Sequence, residues 1–272
     1  MSNYINEVSI YGMMNRLSFR DSFLLSDLGF YKKKDKSKVV YFKNRISDET
    51  KYEQINYMYL DEDPKDKRAY SSEQIISIIN SESIDTLPGK QFREIRETRN
   101  KFKNKIIIKD ITSQNMQDVI DMIEKWRYLD NGGWKYGFNE HAAIDKAIIK
   151  RYVETDLSDH IYAFAFYYNN ECVGYSTIEK TPKDKVDALY EYKYLTRKAL
   201  LSKELRNLTE YIDWYTFNYI YNKHKEQFNS TEFLINWGCS SGGVKWYKTH
   251  KWPLYKLEQK WFLTIKNNGK SR

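Results

Sequence analysis

A short apolar strand, a turn of small residues and a helix follow one another near the end of the chain, and this order most constrains the fold. The strand covers residues 233–237, the turn covers 238–243, and the helical pattern that follows ends before Pro253. Glycine lets a backbone approach a ligand closely, and N–H groups at the start of a helix attract anions. The segment therefore predicts a ligand site at a connection between a strand and a helix.

From residue 105 onward, the hydrophobic pattern alternates between strands and helices, which predicts an α/β (α+β) domain with a mixed sheet flanked by helices. Asn169 and Asn170 are expected to form the turn of a hairpin. The predicted strands cover residues 106–108, 161–168, 172–179, 188–195, 233–237 and 255–265, and the predicted helices cover residues 113–126, 139–153, 202–226 and 244–251.

The first 86 residues predict a smaller α/β region that precedes this domain. Its predicted helices cover residues 19–28 and 71–79, and its predicted strands cover residues 39–42 and 55–60. The organisation that we expect is a small region at 1–86, a basic connecting helix at 87–104 and a catalytic domain at 105–272.

The composition favours an anionic partner and argues against a metal centre. The net charge of +8 suits tRNA, DNA or a nucleotide cofactor, although a lysine-rich composition alone also produces such an excess. The two cysteines and four histidines show no metal-ligand spacing, so we predict no metal. The sequence has neither an apolar run near the ~20 residues of a transmembrane helix nor the pattern of a secretory signal, so the cytoplasm is the expected compartment. The oligomeric state is left open.

Two segments resemble the GNAT superfamily of acyltransferases, and more closely the C-terminal domain of lysyl-phosphatidylglycerol synthases. Residues 87–102 are similar to the Gly-Lys, Arg and Arg-Asn run before that domain, and residues 238–253 to its Gly-Gly, helix and Pro pattern. The resemblance implies a GNAT-like mixed twisted sheet. It also raises the possibility of a tandem architecture in which the N-terminal region is a degenerate second copy.

The resemblance implies a role for several residues. Tyr247 occupies the place of the general acid that protonates the leaving group, and Glu191 the place of a carboxylate that takes the proton of the acceptor amine. Asp213 is a second candidate for the carboxylate. As alternatives, Tyr247 is one more packed tyrosine among 24, and Glu191 is a solvent-facing strand residue. The predicted donor-binding residues are Asn236, Gly238, Ser240, Ser241, Gly242 and Gly243, with the serines alternatively capping the helix.

The predicted donor is aminoacyl-tRNA or acyl-CoA. CoA-dependent members of the superfamily carry a glycine-rich pyrophosphate loop after the middle strand, whereas residues 196–203 contain no glycine. This difference favours the aminoacyl-transferring branch. Side chains such as Arg197, Lys198 and Lys203 still offer contacts to phosphates.

Two further groups of residues are candidates for binding. The basic helix predicts contacts with phosphates or nucleic acid, or else a solvated face. Aromatic residues near the loop after the first helix of the domain predict an acceptor pocket, or else a lid over the core. The predicted phosphate contacts are Lys90, Arg93, Arg96, Arg99 and Lys103, and the predicted pocket residues are Trp126, Trp134, Tyr136 and Trp237.

The function that these predictions favour is an acyl- or aminoacyltransferase that works by direct attack of an amine or hydroxyl on an activated carbonyl. The alternative is a nucleic-acid-binding protein, or an enzyme that modifies DNA bases, with the same fold. Salt-dependent binding of DNA or tRNA without transfer of an acyl group would favour the binding protein.

Overall fold

A computed structural model provides the fold of the chain. It describes residues 30–32, 40–42, 55–60, 63–65, 69–128, 138–155, 161–181, 190–228, 231–240 and 242–266. A single π-helical turn covers Glu82–Thr86. The strands are β1 (Phe30–Lys32), β2 (Val40–Phe42), β3 (Ile55–Leu60), β4 (Ala69–Ile79), β5 (Ile106–Asp110), β6 (Ile161–Tyr168), β7 (Glu171–Thr181), β8 (Glu191–Ala199), β9 (Phe233–Ser240) and β10 (Leu254–Lys266). The helices are α1 (Arg93–Phe102), α2 (Met116–Tyr128), α3 (Phe138–Glu154), α4 (Leu208–Phe228) and α5 (Gly242–Lys251).

The strands form one ten-stranded sheet in the order β1-β2-β3-β10-β4-β9-β8-β7-β6-β5. Neighbouring strands are antiparallel, except that β8 and β9 run parallel. Strand β4 lies between β9 and β10, so the N-terminal part of the chain is built into the centre of the sheet that the C-terminal part forms.

Helices cover both faces of this sheet. Helix α4, with α1 and α5 beside it, covers the face that we call the α4 face, and helices α2 and α3 cover the opposite, α2/α3 face. The core on the α4 face includes Ile75, Tyr194, Phe217, Trp237 and Trp252. The core on the α2/α3 face includes Val119, Ile123, Ile149, Ala165 and Tyr175.

Most of the elements predicted from the hydrophobic pattern are confirmed. Each predicted strand and helix of the second half is present, with ends that shift by a few residues. Asn169 and Asn170 both have positive φ angles, 50° and 64°, as the turn of a two-residue hairpin between β6 and β7 requires.

The predicted helix at 71–79 is wrong, because these residues belong to strand β4. The segment is a central strand because β4 pairs with β9 at one edge and β10 at the other, and its successive isoleucines Ile75 and Ile76 are buried on opposite faces of the sheet. An apolar run that is buried on both faces fits a helix and a central strand equally well. The predicted helix at 19–28 lies outside the described residues, and the domain boundaries stay a prediction.

Helices that could cross a bilayer are absent from the described part of the chain, where none is both long and apolar enough.

Candidate active site

A gap opens between β8 and β9, the two parallel strands of the sheet. They pair over three positions only, and the pair that Lys193 forms with Asn236 is the last. Beyond it, β8 continues to Ala199 and β9 to Ser240 along separate paths, each hydrogen-bonded to its other neighbour. The sheet therefore has an opening in which backbone groups of two strands face a space rather than each other.

Each strand carries a β-bulge beside this gap. In β8, Leu195 is the extra residue between Tyr194 and Thr196 in the pairing with β7. In β9, Trp237 and Gly238 are the two residues opposite a single residue of β4. A bulge bends a strand and increases its twist, so the two bulges account for the divergence.

The bulge at Leu195 also decides where Arg197 points. In the register with β7, Tyr194 lies opposite Ile178 and Arg197 lies opposite Ser176. These two partners alternate along β7 on the same face, toward α4. Because of the extra residue, Arg197 joins Tyr194 on the α4 face, whereas simple alternation would place the two side chains on opposite faces.

Asp213 of α4 connects the groups that line the gap on this face. Its side chain is fully buried, and its Oδ1 lies 2.6 Å from Nε of Arg197. The hydroxyl of Tyr194 donates to Oδ1 at 2.9 Å, and the hydroxyl of Tyr247 donates to Oδ2 at 2.8 Å. One carboxylate therefore holds a strand, two helices and a cation together.

Burial dominates the electrostatics of this cluster. It raises the pKa of Asp213 to about 6, although the Arg197 guanidinium and the hydrogen bonds from Tyr194 and Tyr247 act in the opposite direction. Burial and the Asp213 carboxylate raise the pKa of Tyr247 well above its ordinary value. At neutral pH the cluster thus consists of a carboxylate, a guanidinium and two neutral phenols.

Lys248 is a second cation at the gap. Its Nζ donates to the backbone carbonyl of Trp237 at 2.9 Å, and the side chain is 4% exposed. Burial lowers the pKa of Lys248 to about 7, and the nearby Arg197 guanidinium acts in the same direction. The Arg197 guanidinium itself lies 5.3–5.5 Å from the ring centroids of Tyr194, Trp237 and Tyr247. The site thus combines an arginine fixed by aromatic rings with a lysine that titrates near neutral pH.

Glu191 lies on the α2/α3 face, two residues before the last pair between β8 and β9. Its Oε1 accepts a hydrogen bond from Nδ2 of Asn236 at 2.9 Å, and Oδ1 of Asn236 accepts one from the backbone N–H of Gly238, also at 2.9 Å. Gly238 has a φ of 69°, a left-handed conformation that glycine adopts without strain. The bulge in β9 therefore fixes Asn236, and Asn236 fixes Glu191.

The predicted catalytic and donor-binding residues that the structure describes lie on β8, β9 and α5. Glu191 and Tyr247 lie on opposite faces of the sheet, Glu191 bonded to Asn236 on the α2/α3 face and Tyr247 to Asp213 on the α4 face. Gly242 and Gly243 begin helix α5, and Ser240 ends strand β9. Ser241 lies outside the described residues.

The predicted acceptor aromatics divide into three groups. Trp237 is 2% exposed, and its Nε1 donates to Oγ of Ser77 at 2.9 Å, so its ring belongs to the core beneath Arg197. Trp126 is half-buried on the α2/α3 face, where Nζ of Lys198 lies 4.6 Å from its ring centroid. Trp134 and Tyr136 lie outside the described residues.

The basic helix is present as α1, and part of its charge is used within the protein. Arg96 donates to the backbone carbonyls of Leu87 and Gly89, and Arg99 donates to that of Asp85. Lys90, Arg93 and Lys103 are exposed, with Arg93 paired to Glu97 at 2.8 Å. The surface that remains for an anionic partner is therefore smaller than predicted.

Sequence reasoning missed Lys248 and underestimated Asp213. Lys248 looks like an ordinary helix lysine, because the sequence does not show that the carbonyl of Trp237 leaves the sheet at a bulge. A signal for Asp213 was available, since this carboxylate stands among aromatic and apolar residues on a helix whose surroundings are buried.

Neither the family models nor the curated protein sequences that we compared with the chain match it. Solved structures do. A conserved protein of unknown function from Bacteroides thetaiotaomicron superimposes with a TM-score of 0.51 and 17% identity, over 74% of this chain and 63% of that one. The L-PGS from Bacillus licheniformis aligns with a TM-score of 0.42 and 13% identity, over 74% and 62%. A GCN5-related N-acetyltransferase-like protein from Streptococcus suis aligns with a TM-score of 0.37 and 9% identity, over 73% and 63%.

The fold is GNAT-like. The order of elements and the divergent parallel strands are those that the resemblance of residues 87–102 and 238–253 implied. The chain spans less than two thirds of the length of the solved structures described above.

Proposed function

We propose that the chain transfers an acyl or aminoacyl group from an activated donor to an amine or hydroxyl of an acceptor. The observation that carries this proposal is the divergence of β8 and β9 after Lys193 and Asn236. The gap is lined by a fixed guanidinium, a titratable lysine and a hydrogen-bonded carboxylate. These are the groups that stabilise charge and move protons in an acyl transfer.

The proposed reaction is a direct displacement at the donor carbonyl. The acceptor nitrogen or oxygen forms a bond to the carbonyl carbon, and the bond from that carbon to the leaving oxygen or sulfur breaks. The acceptor loses one proton and the leaving group gains one. The protein therefore needs a proton acceptor on the acceptor side and a proton donor on the leaving-group side.

Glu191 is the proposed proton acceptor. Its side chain is half-buried beside the gap, with Oε1 held by Asn236. A carboxylate fixed in this way keeps its second oxygen for the acceptor or for a bridging water.

Tyr247 and Lys248 compete for the role of proton donor. Tyr247 is the residue that the resemblance implies, but its hydroxyl donates to Asp213, and burial keeps its pKa well above the ordinary value. Lys248 has a pKa of about 7, which is the better match for proton transfer at neutral pH. We assign the proton donation to this pair and leave its division between them to the experiment.

Aminoacyl-tRNA is the proposed donor rather than acyl-CoA. Residues 196–203, which would have to hold a pyrophosphate, contain no glycine. The two basic side chains of this segment that lie on β8, Arg197 and Lys198, are engaged with carboxylates of the protein itself. Arg197 pairs with Asp213, and Nζ of Lys198 lies 3.4 Å from Oδ2 of the buried Asp145. Cations that neutralise buried carboxylates contribute less to binding phosphates.

The test uses the full chain with radiolabelled aminoacyl-tRNA, and separately with radiolabelled acetyl-CoA, in a cell extract that supplies acceptors. We expect transfer from aminoacyl-tRNA, and a loss of roughly 100-fold or more in Glu191→Gln. A similar loss in Tyr247→Phe assigns the proton donation to Tyr247, and wild-type turnover in that variant assigns it to Lys248. Matched controls are the exposed Glu154→Gln and Tyr255→Phe. Transfer that survives at the wild-type rate in Glu191→Gln contradicts the role of this residue, and no transfer from either donor contradicts the function.

A further inference from the structure

A row of polar side chains crosses the sheet on the α2/α3 face, at the base of the gap. We call it the polar floor, and it consists of Gln74 on β4, Asn236 on β9, Glu191 and Lys193 on β8, and Thr177 on β7. Pairing and alternation put these residues on one face, because Asn236 lies opposite Lys193, and Lys193 lies opposite Glu179, two positions from Thr177.

The polar floor contains buried groups without partners. Lys193 is 5% exposed and has no hydrogen-bond or ion-pair partner in the described parts of the chain. The hydroxyl of Thr177 is fully buried and lacks a hydrogen bond, and the amide of Gln74, 5% exposed, has no hydrogen-bond partner among the described residues. The ammonium of Lys193 and the amide of Gln74 keep some accessible surface, whereas the Thr177 hydroxyl is enclosed, so the first two can be reached by a ligand or by water.

The charges of the polar floor are of opposite sign and are held apart. Glu191 and Lys193 are two residues apart on one strand, roughly 7 Å between Cα atoms. Asn236 holds the Glu191 carboxylate at 2.9 Å, and no ion pair within 4.0 Å joins that carboxylate to Lys193. Glu179, a buried carboxylate of β7, lies opposite Lys193 on the same face. The floor therefore offers the Glu191 carboxylate for a cation and, between the two glutamates, the Lys193 ammonium for an anion.

We propose that the polar floor binds an acceptor that carries both an amine and a carboxylate, of which a free α-amino acid is the smallest example. The amine contacts Glu191, and the carboxylate contacts Lys193. That this ligand is the acceptor of the reaction rests on the proposed acyl transfer. The existence of the binding site does not depend on that proposal.

The position of the floor fits this role. Lys193 and Asn236 form the last pair before β8 and β9 diverge, so an amine beside Glu191 lies at the entrance of the gap. There the amine nitrogen can attack a carbonyl that is held between the strands, and Glu191 receives the proton that it releases.

The experiment measures equilibrium binding to the full chain by calorimetry, without any acyl donor. The probes are free L-amino acids, the C-terminal amide of each amino acid, which lacks the carboxylate, and the N-acetyl derivative, which lacks the amine. We expect at least one free amino acid to bind roughly tenfold more tightly than its amide and its N-acetyl derivative. Equal affinity for the three forms, or no binding of any free amino acid, overturns the inference without the need for a variant.

Variants then assign the contacts. Lys193→Met is expected to lose the preference over the amide and to keep the preference over the N-acetyl derivative, and Glu191→Gln is expected to do the reverse. Lys193→Arg keeps the charge and serves as the conservative variant, and the exposed Lys150→Met is the matched control. If both preferences persist in Lys193→Met, the assignment of Lys193 is wrong.

This test separates the inference from the proposed function. Transfer to acceptors that have no carboxylate, at the same rate as to amino acids, overturns the inference and leaves the function intact. Discriminating binding of amino acids with no transfer from any donor supports the site and contradicts the function.

Discussion

The two sides of the gap between β8 and β9 differ in how well their polar groups are satisfied. On the α4 face, Asp213 is bonded to Arg197, Tyr194 and Tyr247, and both of its oxygens are occupied. On the α2/α3 face, Lys193 is 5% exposed and has no hydrogen-bond or ion-pair partner among the described residues. The Asp213 carboxylate on the first side has both oxygens paired, whereas the Lys193 ammonium on the second side is left for a ligand.

This difference indicates how the site divides its work. A fully satisfied buried network fixes geometry before any ligand arrives, which is the preorganisation that electrostatic catalysis needs. An unsatisfied one lowers stability until something binds, which is typical of binding and catalytic sites. Changes on the α4 face should therefore reduce stability, and changes on the α2/α3 face should reduce function more than stability.

The largest expected effect comes from Asp213→Asn. Without the carboxylate charge, Arg197 is left buried and uncompensated, so we expect the free energy of unfolding to fall by about 3–5 kcal/mol. Urea unfolding measures this value. The control is Glu226→Gln, which removes the exposed ion pair between Oε2 of Glu226 and Nζ of Lys223, 3.8 Å apart. This change should alter the free energy of unfolding by less than about 0.5 kcal/mol. Equal effects of the two variants would show that the Asp213 network does not stabilise the fold.

The next effect concerns the pH profile of turnover. Because the pKa of Lys248 is about 7, its protonated fraction falls as the pH rises through 7, and a proton donor loses activity in that range. If Lys248 rather than Tyr247 gives the proton, Lys248→Met should lower turnover by roughly 100-fold and abolish this alkaline decline. Turnover measured from pH 6 to pH 9 checks the prediction, and an unchanged decline in the variant contradicts it.

The same depressed pKa has a consequence for stability. Between about pH 7 and the ordinary lysine value of about 10.4, the folded chain binds fewer protons at Lys248 than the unfolded chain does. This group therefore makes the free energy of unfolding rise with pH across that range.

A smaller effect is expected for Gly238→Ala. A side chain at a φ of 69° costs about 1–2 kcal/mol, and the strain lies next to Asn236 and the carbonyl that receives Lys248. Gly89→Ala is the matched control, because its φ of 75° imposes the same strain in open space away from the gap. We expect both variants to lose stability and only Gly238→Ala to lose turnover as well. Equal turnover in the two would show that the β9 bulge does not shape the site.

Lys193→Met should act in the opposite direction on stability. Replacing a mostly buried lysine that has no partner among the described residues by an apolar side chain should raise the free energy of unfolding by about 1 kcal/mol while acceptor binding falls. The exposed Lys150→Met should leave both quantities within error of the wild type. Destabilisation by Lys193→Met would show that the lysine has a structural partner, and would remove the contrast between the two faces.

The smallest effect tests the remaining basic surface of α1. If exposed lysines there contact phosphates, Lys90→Gln with Lys103→Gln should reduce the salt dependence of binding to total tRNA by about 2 in the logarithmic slope. Filter binding at several salt concentrations measures the slope. The control is Lys150→Gln with Lys225→Gln, on exposed positions of other helices. An equal change of slope in the control would show that α1 contributes only non-specific electrostatic attraction and no particular phosphate contacts.

Much of the fold could be predicted from the hydrophobic pattern because it is a local property. Alternating residues in β6 and β7, and the two asparagines between them, each specify a conformation without reference to the rest of the chain. The error at β4 has the opposite origin. Its isoleucines become strand residues only because β9 and β10, more than 150 residues later, lie on either side.

The site could be predicted only in part, for a related reason. Spacing and resemblance pointed to Glu191 and Tyr247 at one opening, but partners across the fold decide what these groups can do. The extra residue Leu195 turns Arg197 toward α4, and no pattern in the sequence marks that bulge. The same holds for Trp237, whose carbonyl is free to accept from Lys248 because β9 bulges there.

The insertion of β4 between β9 and β10 determines when during synthesis the centre of the sheet can be completed. Residues 69–79 must wait for residues 233–263 to leave the ribosome before they find their neighbours. Until then, a strand rich in isoleucine has both edges open, a condition that favours aggregation. Cells that make this chain therefore have to protect β4 throughout most of its translation, and chaperone supply should influence the yield of folded protein.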